Sequence, residues 1–451
     1  MLSFLWSLGS FIVALGILVA VHEWGHFYVA RLCGVQVERF SIGFGKPFWT
    51  RVDKKGTEFA VAAIPLGGYV RMLDERVEAV PAEKRHLAFN NKPVIQHMAI
   101  IAAGPGVNFI FAVIALTAMF LIGQNTVKPV VGNVLPDSIA AQTRLQNGDE
   151  IVSVDGHDTP DWESVNLELV SAIGNESVPV TVKNAQGITS QTQLDISNWN
   201  FDPEKQSALN SLGIVPFRPA ITLEIGLVSD DSPAQQAGLQ VGDTLVALNN
   251  DKISDWESLV EKIKGMPGEQ VALTINRDGQ IQVINATIAR RDTENGQTGF
   301  LGVSPLAEPW PEGYVFTHQY GPLDAIAKAA DKTWRLTAVS VEMLGKLVTG
   351  DVSLNNLSGP ISIAQGAGMS AGYGLTYFLS FLALISVSLG IINLLPIPML
   401  DGGHLLFYII EWATGKPVPE HIQDVGFKIG GALLFMMMSI AIFNDISRFT
   451  S

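Results

Sequence analysis

Long apolar runs separated by polar stretches give the first outline of the chain. Residues 1–21 carry no charged side chain, and Phe4 to Val21 (FLWSLGSFIVALGILVAV) is long enough to begin crossing a hydrocarbon core of about 30 Å. A second uncharged run lies between Lys92 and Lys128, with its apolar body from Met98 to Ile122. A third lies between Asp351 and Asp401, with its body from Leu375 to Leu400. A fourth, Val425 to Phe443, holds Lys428 near one end, where the ammonium has to snorkel to the interface. The pattern predicts transmembrane helices over 1–27, 98–123, 375–403 and 425–446. No basic region precedes the first run and no small-residue cleavage site follows it, so it reads as a retained anchor rather than a signal peptide.

The connection 28–97 holds eleven Lys and Arg residues, and the much longer stretch 124–375 holds fifteen. The denser short loop is expected on the cytoplasmic side, with 404–424 as a second cytoplasmic connection and the middle region outside. Within the short loop, Phe40–Gly45 (FSIGFG) and Phe59–Val70 (FAVAAIPLGGYV) are glycine-containing, apolar and strand-like. They predict a β-hairpin region.

The middle region contains a repeat. Residues 137–164 and 231–258 align without a gap at a shift of 94, with 13 of 28 positions identical. Both units run from a short helix through Leu-Gln-x-Gly-Asp to a strand and then Asp-Trp-Glu-Ser, where Asp161 and Asp255 are expected N-caps. Each unit closes on a related loop, Leu212-Gly213-Ile214-x-Pro216 and Leu301-Gly302-Val303-x-Pro305. This pattern resembles PDZ domains of the circularly permuted type, over 127–220 and 221–309. The resemblance implies that the loops at Ile214 and Val303 offer backbone N–H groups to a peptide C-terminus. Farther on, in 310–374, Leu323, Ala327, Ala330, Trp334, Val341, Leu344 and Val348 recur at helical spacing. They predict one or two amphipathic helices, at the outer membrane surface or packed on the second repeat.

Composition narrows the chemistry. Charged residues make up 16% of the chain, against about 25% in ordinary soluble proteins. The net charge is −14, and an acidic chain with no basic tract is a poor candidate for binding nucleic acid. The single cysteine, Cys33, rules out an intrachain disulfide and any multi-cysteine metal site. A metal has to be held by His and carboxylates.

His22-Glu23-Trp24-Gly25-His26 supplies that chemistry. On a helix, positions i and i+4 share a face, so His22 and His26 are spaced to grip one ion. A zinc site keeps an open position for water and lowers its pKa toward about 7. Glu23, next to His22, is placed to take a proton from that water and return one to a leaving amine. A two-histidine site wants a third ligand, and Asp401 is the first charge after 49 uncharged residues. It sits in Asn393-Leu394-Leu395-Pro396-Ile397-Pro398-Met399-Leu400-Asp401-Gly402-Gly403. There the prolines interrupt helical hydrogen bonding, leaving backbone groups and the Asn393 amide for a substrate strand. Asn108, among small residues in Gly104-Pro105-Gly106-Val107-Asn108, suggests a close helix contact. His86, His97, His157, His318, His404 and His421 have no ligand spacing to one another.

H-E-x-x-H in the first span, N-x-x-P-x-P-x-L-D-G-G in a late one and a tandem PDZ insert together resemble the site-2 protease family, in its bacterial regulator-of-sigma-E type, along essentially the whole chain. The resemblance implies a multi-pass α-helical membrane protein with about four transmembrane helices, a membrane-associated β-hairpin region and two α+β PDZ domains. It implies one zinc ion per chain on His22, His26 and Asp401, with Glu23 as base. It implies cleavage of single-span proteins within the bacterial inner membrane, an anti-sigma factor of the envelope stress response among them, after their outer parts have been trimmed. It further implies that Asn393, Pro396, Pro398, Gly43, Gly45, Gly67, Gly68 and Tyr69 bind an unwound substrate strand. A non-catalytic PDZ adaptor and a metal transporter are the alternatives. The adaptor would be indifferent to Glu23→Gln.

Overall fold

The computed structural model describes residues 2–450 except 200, 202–205, 294–295, 351 and 354–357. Its helices are α1 (Leu2–Leu32), α2 (Val94–Ile122), α3 (Trp162–Ser171), α4 (Ala208–Leu212), α5 (Pro233–Ala237), α6 (Trp256–Lys264), α7 (Pro322–Thr349), α8 (Pro360–Tyr373), α9 (Leu375–Leu394), α10 (Asp401–Thr414) and α11 (Glu420–Thr450). Four of them, α1, α2, α9 and α11, are long and apolar enough to cross a membrane. The chain divides into two compact units, one of residues 1–129, 134–215 and 316–451, the other of 130–133 and 216–315.

Three helices depart from the sequence pattern. Helix α1 continues five residues past position 27, so the H-E-x-x-H turn lies within it and not at its end. Helix α9 stops at Leu394, because Pro396 and Pro398 carry no N–H to continue the ladder. Residues 395–400 form a loop, and Asp401 opens α10, which fills much of the stretch expected as a connection. Helix α7 is one continuous helix, and it buries a different face from the one its large apolar residues suggested. Ala325, Ala329, Thr333 and Leu336 are its buried residues, while Leu323, Trp334, Val341 and Val348 are exposed. The small residues let α7 lie close to α2 and α9, where Ala112, Leu116, Phe120, Ala383 and Val387 share one core with it. Of the expected face, Leu344 packs on that core.

The short loop folds as β1 (Val37–Val52) and β2 (Glu58–Met72), each bent so that the pair makes four antiparallel runs. Their order is 68–72, 37–42, 58–62 and 47–52. Gly43, Gly45 and Gly67 take the bends with φ of 88°, 87° and 109°, a region costly for residues with a Cβ. The sheet packs on α1 through Phe27, Phe40 and Phe59, whose ring centroids lie 5.5–5.6 Å apart.

The repeat is visible in the fold. In the first copy a sheet ordered His157–Asp158, Glu150–Val154, Ser177–Lys183, Thr189–Asp195 is covered by α3. In the second, Gln280–Thr287, Gln270–Arg277, Thr244–Leu248, Ile221–Val228 and Val303–Ala307 pair in that order, with Trp256, Leu259 and Ile263 of α6 in the core. Asp161 and Asp255 cap α3 and α6, accepting from Ser164 N at 2.8 Å and Ser258 N at 2.7 Å. The aspartates of the two Gly-Asp pairs, Asp149 and Asp243, accept from Gln146 N and Gln240 N at 2.9 and 2.8 Å.

Candidate metal centre

His22 and His26 stand one turn apart on α1 and meet Asp401 at the start of α10. His22 Nε2 is 3.2 Å from Asp401 Oδ2, His26 Nε2 is 3.4 Å from the same oxygen, and the two Nε2 atoms are 3.3 Å apart. A tetrahedral zinc ion with ligands at about 2.0–2.1 Å sets neighbouring ligand atoms about 3.3–3.4 Å apart. The triangle has that size. Among the described residues these three form the one group able to hold a metal through His, Cys or carboxylate side chains.

The hydrogen bonds around the triangle fix which atoms face inward. A carbonyl only accepts, so His26 Nδ1–H donates to Ile100 O (2.9 Å) and leaves Nε2 with a bare lone pair. His22 Nδ1 lies 3.1 Å from the side-chain amide of Asn108, which is fully buried. Asn108 Oδ1 and Asp401 Oδ2 are buried without a hydrogen-bond partner. Which end of an amide is oxygen is assigned from its hydrogen-bond network. With Oδ1 turned to His22, it accepts Nδ1–H and His22 Nε2 becomes a second bare lone pair. Asp401 Oδ2, buried without a hydrogen-bond partner, then faces two lone pairs, an arrangement that a cation satisfies. The residues therefore fit zinc.

Glycines make room for this. A Cβ on Gly104 of α2 would collide with His26 Nε2 and crowd His22 Cε1, and one on Gly25 would strike Ala103 O. Gly402 and Gly403 fold α10 back on the loop, where a Cβ would strike Leu395 O and Ile397 O respectively. Gly430 of α11 lies directly on Pro398 O. Met399, two residues before the ligand, is held at φ 94°, a conformation that costs a non-glycine residue about 1–2 kcal/mol.

The other expected residues fall in several places. Glu23 is partly buried on α1 beside the sheet, where a Cβ on Gly68 would come within 3.0 Å of Glu23 Cγ. Gly68 belongs to the run 68–72, an edge of the sheet. Tyr69 accepts from Arg39 Nη1 at 3.3 Å and stacks on Phe44. Asn393 is in the last turn of α9, and Pro396 and Pro398 are in the loop that follows. Ile214 is buried in its module, only 1% exposed. Val303 lines a cavity of about 210 Å³ in the second module, between α6 and the strand Gly296–Phe300. Asn108 is the residue whose part exceeds its sequence signal, since a polar side chain among small ones marks a helix contact without naming the contacted group. His404 packs at a tilt on Phe427, His157 pairs with Glu168 at 2.8 Å, and His318 pairs with Asp161 at 3.2 Å.

Two imidazoles with an adjacent glutamate on an apolar span, met by a carboxylate at the start of α10, define a multi-pass membrane metallohydrolase. The chain belongs to peptidase family M50, whose model matches residues 10–437. It is 53% identical to Protease RseP of Yersinia pestis, over 99% of this chain and 100% of that protein. It is 52% identical to the regulator of sigma-E protease RseP of Escherichia coli K12, with the same coverage. It is 48% identical to the regulator of sigma E protease of Haemophilus influenzae, again over 99% and 100%. The PDZ domain of an SdrC-like protein of Listeria innocua aligns with 20% of this chain and 97% of that domain, at 17% identity and a TM-score of 0.17.

Proposed function

We propose that the chain is a zinc-dependent intramembrane endopeptidase of the bacterial inner membrane. In this reading it cuts single-span proteins, an anti-sigma factor of the envelope stress response among them, after their outer parts have been removed. The observation that carries it is the triangle of His22, His26 and Asp401 ligand atoms within 3.4 Å of one another, with Glu23 on the same helical turn. Zinc held there supplies a Lewis acid and a water made acidic enough to deprotonate near neutral pH. Glu23 takes the proton and delivers it to the leaving amine. The edge 68–72, with Gly68 against Glu23, pairs with an unwound substrate segment. That pairing replaces the hydrogen bonds that shield a peptide bond in a helix and brings its carbonyl to the site. Gly43, Gly45, Gly67 and Tyr69 shape that edge, and Asn393, Pro396 and Pro398, at the end of α9 and in the loop before Asp401, bind the same segment.

The two repeats act as PDZ domains outside the membrane, and the hairpin loop faces the cytoplasm. Their bulk restricts entry to trimmed substrates. The cavity at Val303 suits a peptide C-terminus better than the buried Ile214 does. The test is a cleavage assay on a short single-span substrate with zinc measured in parallel. Glu23→Gln should keep its zinc and lose cleavage; cleavage at the wild-type rate would refute the proposal.

A further inference from the structure

The sheet of β1 and β2 is graded in polarity along its strands. One row consists of Val52, Glu58, Arg39 and Arg71, in which Arg39 Nε donates to Glu58 at 2.7 Å and Arg71 Nε pairs with Glu38 at 2.9 Å. The turn beyond this row is tied to the last turn of α1, since Arg31 Nη2 donates to Asp53 Oδ2 at 2.5 Å and to Thr57 Oγ1 at 2.7 Å. Three residues along, the row is Trp49, Val61, Ile42 and Gly68, and Gly68 lies against Val19 and Glu23. At about 3.3 Å per residue the two rows are about 10 Å apart. The sheet therefore runs beside the latter part of the span Phe4–Leu32, with its charged row and its turn at the Leu32 end.

The run 47–52 is the edge away from Glu23. Phe48, Trp49 and Val52 on it are 73%, 49% and 64% exposed. Arg51 at its charged end, and Lys54 and Lys55 in the turn, are exposed and form no ion pair among the described residues. Arg31, Arg39 and Arg71 all have carboxylate partners. Arg51 lies two residues past Trp49, about 7 Å at 3.3 Å per residue, and Lys54 and Lys55 follow in the turn, so three unneutralised cations in a chain of net charge −14 come after the exposed Phe48 and Trp49 along one edge. A headgroup and its acyl chains have the same spacing and order. Lys46, at the opposite end of the strand, lies outside this arrangement.

We propose that this distal edge is a binding site for an anionic phospholipid, with Arg51, Lys54 and Lys55 on the phosphate and Phe48 and Trp49 along the acyl chains. The occupant follows from charge complementarity, because cations near an anionic leaflet are each worth about 1 kcal/mol and a zwitterionic lipid gives no such return. The inference rests on the membrane reading above.

The test is quenching of Trp49 in the full chain, reconstituted into phosphatidylcholine vesicles holding a small fraction of brominated phosphatidylglycerol or brominated phosphatidylcholine. The difference between wild type and Trp49→Phe isolates the Trp49 signal. Brominated phosphatidylglycerol should quench it about three-fold more at equal fraction. The triple change Arg51→Gln, Lys54→Gln, Lys55→Gln should remove the preference, and Arg51→Lys, Lys54→Arg, Lys55→Arg should keep it. Equal quenching by the two lipids in the wild type, as a protein partner on this edge would give, overturns the proposal. So does a preference that survives the glutamine changes. Quenching by neither lipid would instead fail the membrane reading itself.

Discussion

Replacing Asn108 tests whether the metal site extends beyond its three ligands. Asn108→Leu keeps most of the volume and deletes the amide that holds His22 Nδ1 at 3.1 Å. Asn108 itself is fully buried. An imidazole N–H left without an acceptor costs about 1–3 kcal/mol. Loss of the outer partner of a ligating histidine typically weakens metal binding about 10–100-fold, which is about 1.4–2.7 kcal/mol and agrees with that range. Asn108→Asp keeps an acceptor toward Nδ1–H and should hold zinc within about three-fold of wild type. The assay is competition for zinc against a chelator in detergent, on the full chain. If the leucine variant bound zinc like wild type, or the aspartate variant fell as far as the leucine one, the assigned role of Asn108 would be wrong.

Other expectations follow from the same contacts. Gly104→Ala drives a methyl into both imidazoles and should drop zinc well below one ion per chain, whereas Gly106→Ala, which meets nothing within 4 Å, should leave it unchanged by metal analysis. Met399→Gly relieves a left-handed backbone at an exposed side chain and should raise thermal stability by about 1 kcal/mol with zinc retained. Burial pushes the Asp161 carboxyl up, but His318 and the Ser164 N–H and hydroxyl more than offset this and hold it at about 2. Its stabilisation of α3, about 2 kcal/mol, is complete above the unfolded value near 4 and is lost as pH falls through about 2. Hydrogen exchange of the α3 amides should show that loss in wild type and a flatter profile in Asp161→Asn.

Much of this was legible in the sequence because each signal has a short physical range. Four apolar runs became four helices, since hydrocarbon thickness is a length written in residues. The i, i+4 histidines meet because a helix turn puts them together, and Asp401 stood out because it is the first charge after 49 uncharged residues. Asp161 and Asp255 cap their helices because capping is local. What failed depended on tertiary neighbours. Helix α7 buries its alanines because α2 and α9 demand close approach, and the periodicity of its larger residues does not encode that. The break at Leu394 was signalled by Pro396 and Pro398, yet the continued apolar run disguised Asp401 as the end of one helix when it opens the next.

The most direct measurement is anomalous X-ray scattering at the zinc edge from crystals of the full chain grown with the metal. One peak should appear about 2.0–2.1 Å from His22 Nε2, His26 Nε2 and an Asp401 carboxylate oxygen, and it should persist in Glu23→Gln. A peak away from these three atoms, or none in protein shown to carry zinc in solution, would contradict the account.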